Sequence, residues 1–150
     1  MNEIERLKEE IQKQKKISYT AGMLQSDVTT RTLLESLSEG IVIINQDYRI
    51  VLINKPMEQI FGYTQQEAIG ETLDIYLPSE VHGIHENHVK DFFDNPNIRP
   101  MGIGIELFAL TKEKIRIPIE IGISFIKTEF GMLGLASITD ISVRKKVERE

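Results

Sequence analysis

The chain has 150 residues, enough for one domain with a sizeable core, and 41% hydrophobic against 27% charged residues is the balance of a globular protein. Its 18 Lys and Arg against 23 Asp and Glu give a formal charge of −5, which argues against a nucleic-acid partner, and without cysteine it has no disulfide, thiolate metal site or thiol for attaching a chromophore. The longest aliphatic run, Ile41 to Ile44, is far short of the roughly 20 residues that span a bilayer, and the charged N-terminus has no signal-peptide core, so a cytoplasmic protein without membrane contact is expected.

From Met1 to Lys16 the residues are mostly Glu, Lys, Gln and Arg, with Ile4, Leu7 and Ile11 at the spacing of a coiled-coil seam and Gln14 in the next seam place. So short a seam is marginal alone. It is expected to pair in parallel with a second copy or to end a longer coil, the plainer alternative being a solvated helix on its own domain. Gly22 is placed to break this helix, and Ser26 or Asp27 to cap a second one through Leu33, Leu34 and Leu37, ended by Gly40.

After Gly40 the periodicity becomes that of strands. Ile41 to Ile44 and Arg49 to Ile53 read as a hairpin around a turn at Asn45 to Tyr48. Asn54 before Pro56 opens a short helix through Met57, Ile60 and Phe61, halted by Gly62, and Thr64 with Glu67 reads as a capping box before Gly70. Ser79 to Asp94 has a helical pattern. At about 100° per residue, Val81, Val89 and Phe92 fall within roughly 40° of His85, which therefore points inward, with His82 and His88 at the edges of the stripe and Glu86, Asn87, Lys90 and Asp91 on the solvated side. An inward imidazole needs a hydrogen-bond partner or a metal.

Ile103, Ile105 and Leu107 alternate, then, after a turn at Thr111 to Lys114, so do Ile115, Ile117, Ile119, Ile121, Ile123 and Phe125, with Pro118 marking an edge position or a bulge. Met132 to Ile138 is the last expected strand, and Thr139 to Glu150 reverts to a charged helical pattern. The order of elements gives an α+β domain on an antiparallel sheet.

Leu34 to Gly40 before Ile41, Asn54, Phe61-Gly62-Tyr63, Ile69-Gly70, the strand entry at Arg99 to Gly102, Pro118 and the closing Asp140-Ile141-Ser142 together resemble a PAS sensor domain, over about Thr32 to Ser142. The resemblance implies a five-stranded antiparallel sheet with short helices on one face, flanked by N- and C-terminal signalling helices. The expected boundaries are 1–31 for the N-terminal helical segment, 32–142 for the PAS domain and 143–150 for the start of an output helix. It also implies a homodimer that relays a signal to an effector, such as the histidine kinase of a two-component system, with Asp140, Ile141 and Ser142 as the signal exit. Lys112-Glu113-Lys114 departs from the family's Asp-Gly turn.

Within the family, haem-PAS gas sensors carry their axial iron ligand on the helix that follows Leu77-Pro78, and His85 matches that place. This implies haem b on His85, Arg99 as a propionate partner, and Val89, Phe92, Ile103, Ile105, Ile121, Ile123 and Leu135 around the porphyrin. Ile103 and Ile105 stand where oxygen sensors place polar distal residues, so CO or NO binding or redox sensing is expected before stable oxygen binding. The alternatives are a PAS dimerisation module that binds nothing, with His85 bonded in the core, and a domain for another small ligand, non-covalent flavin included; a metal held by His82, His85 and His88 is disfavoured because these ligands fan over a broad arc. No nucleophile elbow, phosphate loop or kinase motif occurs, so the chain is expected not to be an enzyme, and its last charged helix is expected to lead into an effector.

Overall fold

A computed structural model describes residues 2–95, 107–129 and 131–143, with the backbone alone for 99–101. Helix α1 (Glu3–Ser26) begins at an Asn2 cap, and α2 (Val28–Ser36) at Asp27, whose side chain accepts from the Thr30 N–H. Gly22 does not break α1. A glycine inside a helix costs about 1 kcal/mol, and the packing of Ile17, Thr20 and Ala21 on the sheet around it outweighs that. The second helix ends at Ser36, and Gly40 opens a strand rather than closing a helix.

Strands β1 (Gly40–Ile44) and β2 (Ile50–Ile53) form the expected hairpin. Helix α3 (Lys55–Phe61) is capped by Asn54 and stopped by Gly62 at φ 89, and α4 (Gln65–Ala68) begins with both bonds of the Thr64–Glu67 capping box. A 3-10 turn (Leu73–Tyr76) and another (Ser79–Val81) lead into α5 (His82–Asp94). The chain closes with β3 (Arg99–Met101), β4 (Leu107–Leu110), β5 (Arg116–Thr128) and β6 (Gly131–Asp140). Thr139 and Asp140 thus belong to the last strand, not to a helix; Ser142 and Val143 are helical, and 144–150 lie outside the described residues.

All pairings are antiparallel, in the order β2-β1-β6-β5-β3, with β4 also on β5. Because β6 occupies one edge of β5, β3 and β4 share the other, and the sheet is five strands wide with its last strand in two segments. The Pro118 carbonyl accepts from Ile141 N–H, on the side where the β5–β6 ladder ends at Ile119↔Asp140, so the missing Pro N–H faces that ladder's end and costs no bond to β4.

The sheet is apolar on both faces. Its inner face packs Val42, Ile44, Ile50, Ile53, Ile119 and Ile138 against Met57, Phe61, Ala68 and Tyr76 from the short helices. Its outer face packs Ile41, Ile43, Val51, Leu52 and Leu133 under Ile17 and Leu34 of α1 and α2. The expected layer of short helices therefore covers one face, and the N-terminal helices cover part of the other. No helix among the described residues is long and apolar enough to cross a membrane.

Candidate functional site around His85

His85 projects from the second turn of α5 and is half-buried, with Val81 and Val89 also half-buried and Phe92 buried on the same stripe. What draws this helix onto the sheet is a pair of phenylalanines. Phe92 and Phe93 meet edge-on, at 5.8 Å between ring centres, over Gly134 of β6, where a Cβ would lie 3.3 Å from the Phe93 ring. A small residue is required at that crossing, and α5 seats there because Gly134 leaves the room.

The partner of His85 comes from the β1–β2 turn. Tyr48 Oη lies 2.5 Å from His85 Nδ1 and 3.1 Å from Asp74 Oδ1, and the residue is only 2% exposed. Its backbone is left-handed, φ 66, a conformation that costs a non-glycine residue about 1–2 kcal/mol. The turn holds it there: Asn45 accepts the N–H of Asp47 and Arg49 on its side chain and that of Tyr48 on its carbonyl. Asp74, on the first 3-10 turn, is set by the bond from its N–H to Thr72 Oγ1, and its other oxygen stands 3.9 Å from His82 Nδ1.

Burial pushes the His85 imidazole below its ordinary value of 6.5, with Asp74 opposing and His88 and His82 adding to the fall, so the ring is neutral at neutral pH. Burial first, then the charge and hydrogen bond of Asp74, push the Tyr48 phenol well above the usual tyrosine range, and it keeps its proton. His82 is committed elsewhere, its Nε2 lying 2.9 Å from the Leu77 carbonyl, and His88 is exposed. Among the described residues no three His, Asp or Glu side chains are grouped to hold a metal ion on their own.

The other expected site residues divide by sheet face. Ile121 belongs to the inner cluster, as do Val89 and Phe93, and Ile123 shares its side of β5 by alternation; both isoleucines are half-buried. Leu135 does not line this site. It pairs with Ile43 and packs with the outer cluster under α1, because in β6 the inner positions are Gly134, Ala136 and Ile138. Arg99 pairs with Ile123 through its backbone, and its side chain, like Ile103 and Ile105, lies outside the described residues. Ile4, Leu7 and Ile11 are exposed along the free half of α1, at 65%, 46% and 50%. At the far end Asp140 Oδ1 accepts from the Ser142 N–H at 2.9 Å and from its hydroxyl at 2.5 Å, while Ile141 is buried. Tyr48 and Asp74 carried no signal in the sequence: the contact of Tyr48 with His85 and its bond to Asp74 join residues 37 and 26 positions apart.

The family model described as the PAS fold matches residues 29–94. The Oxygen sensor protein DosP of Escherichia coli (strain K12) is 26% identical over 110 residues, 73% of this chain and 14% of that protein. Sensor protein FixL of Bradyrhizobium diazoefficiens is 22% identical over 93 residues, 62% of this chain and 18% of that protein, so the chain spans less than a fifth of either relative. Among solved structures, the PAS domain of a protein from Colwellia psychrerythraea matches with a TM-score of 0.65 at 22% identity, over 77% of this chain and 97% of that one.

Proposed function

The chain carries a PAS domain, and from that premise we propose that it is a cytoplasmic sensory module that binds haem b through His85, dimerises through α1 and relays the state of the site to an effector. The observation that carries the haem reading is a neutral, half-buried imidazole with one ring nitrogen engaged by Tyr48, on a stripe with Val89 and Phe92 that faces the apolar inner side of the sheet. An axial ligand needs those properties: the neutral ring, the second nitrogen tied down, and apolar walls for the porphyrin. Haem held there would supply an iron whose free coordination position and charge respond to a diatomic gas or to redox state. Val89, Phe92, Phe93, Ile121 and Ile123 would wall it, with Arg99 as the candidate propionate partner. The resemblance of this helix to that of haem-PAS gas sensors supports the same reading.

The test is optical. Protein purified with added hemin shows a Soret band, and His85→Ala abolishes it; a spectrum unchanged by that substitution removes His85 from the site. A PAS dimerisation module that binds nothing is the competing reading, favoured by the exposed Ile4, Leu7 and Ile11, and it stands if no hemin is taken up. Kinase or other effector chemistry lies, on either reading, outside the PAS domain.

A further inference from the structure

A phenol has one proton to give, and that limit sets the direction of the hydrogen bonds at His85. An ionised carboxylate only accepts, so with Asp74 Oδ1 at 3.1 Å the Tyr48 proton goes to Asp74. Oη can then meet His85 Nδ1 at 2.5 Å only through a lone pair, and Nδ1 must carry the ring proton. The reverse arrangement would set two acceptor oxygens face to face. Nε2 is left with its lone pair. Among the described residues no hydrogen bond engages it.

We propose that Tyr48 and Asp74 are positioning residues that hold His85 as the Nδ1–H tautomer, presenting the Nε2 lone pair to an electron-pair acceptor before any arrives. For the identity of that acceptor, haem iron, the proposal rests on the reading above; for the tautomer it does not. The placement of both residues supports it independently. Tyr48 is a bulky side chain in a left-handed turn position, where glycine or asparagine is the ordinary occupant, and the turn's own bonds to Asn45 keep it there. Asp74 comes from a different element and is held by the Thr72 cap of its 3-10 turn.

The experiment uses the whole metal-free chain with ¹⁵N-labelled histidine, and reads the tautomer of His85 from long-range proton–nitrogen correlations. The Nδ1–H form is expected in the unaltered protein. Asp74→Ala removes the acceptor of the phenol proton, so Tyr48 turns that proton to Nδ1 and the ring inverts to the Nε2–H form. Tyr48→Phe keeps the aromatic body and leaves a mixture of the two. A parent protein already in the Nε2–H form, or an Asp74→Ala protein still in the Nδ1–H form, overturns the relay. A merely structural role for Asp74 would not invert a tautomer. With hemin added, both substitutions lower its affinity about 10- to 100-fold. Unchanged affinity in both overturns the positioning role toward iron. If the parent takes up no hemin while the tautomers behave as stated, the haem reading fails and the relay stands.

Discussion

At the scale of single residues, Asn54 is more connected among the described residues than His85. It is 1% exposed, and its side chain makes four bonds: Oδ1 accepts from the N–H of Ile41 and Met57, and Nδ2 donates to the carbonyls of Leu34 and Glu39. One amide thus ties the end of α2 and the loop after it to β1 and to the start of α3. The sequence showed only its role as a helix cap; the other three bonds run to residues 13 to 20 positions away. Asn54→Ala strands a buried N–H and a buried carbonyl besides losing the cap, and each such group costs about 1–3 kcal/mol. A loss of about 3 kcal/mol is expected in urea unfolding. Asn54→Asp restores the acceptors but sets an oxygen against the Leu34 and Glu39 carbonyls, so it recovers only part of that loss.

At the scale of elements, periodicity is what the sequence expressed well. The single-faced helix α5 stands where its apolar stripe puts it, and the β1–β2 hairpin, buried on both faces, stands where its two aliphatic runs and the turn between them put it. The second sheet face is where it misled. Leu135 looks like a pocket residue because it is large, while the true inner positions of β6 are Gly134 and Ala136, small because α5 crosses over them. Alternation gives two faces and cannot say which is which when α1 makes both apolar. Helix α1 itself has two apolar lines roughly 105° apart, one through Ile17, Ala21 and Leu24 on the sheet and one through Ile4, Leu7 and Ile11 in solvent. Deleting residues 1–16 removes only the second line. It is expected to shift a dimer to monomer in sedimentation equilibrium with little change in the melting temperature, and an unchanged mass excludes this seam as the contact.

At the scale of the molecule, three shifted groups act in the same direction on acid stability. Burial lowers His85 from 6.5; the Lys112 ammonium, hydrogen-bonded at 2.5 Å, lowers Glu67 from 4.5; and a backbone hydrogen bond together with Arg116 lowers Glu80 from 4.5. In each case the unfolded chain takes up a proton at a higher pH than the folded one, so stability falls as pH falls. For the metal-free protein the urea midpoint is expected to be level above about pH 7, to decline first below about pH 6.5 as unfolded His85 protonates, and again below about pH 4.5 with the carboxylates. His85→Gln removes the upper step and leaves the lower, and a midpoint that still declines between pH 6.5 and 5 in that variant assigns the step to another group.

The geometry of α1 has a mechanical side. Ile17 is the first residue of the helix seated on the sheet, and Ile4 lies thirteen residues before it, about 20 Å along the axis at 1.5 Å per residue. That stretch is a lever with its fulcrum on β2. A tilt of about 5° at the fulcrum sweeps the tip through about 2 Å, enough to take one side chain out of register with any helix paired to it. A displacement too small to break any bond within the domain is thereby enlarged at the point farthest from it.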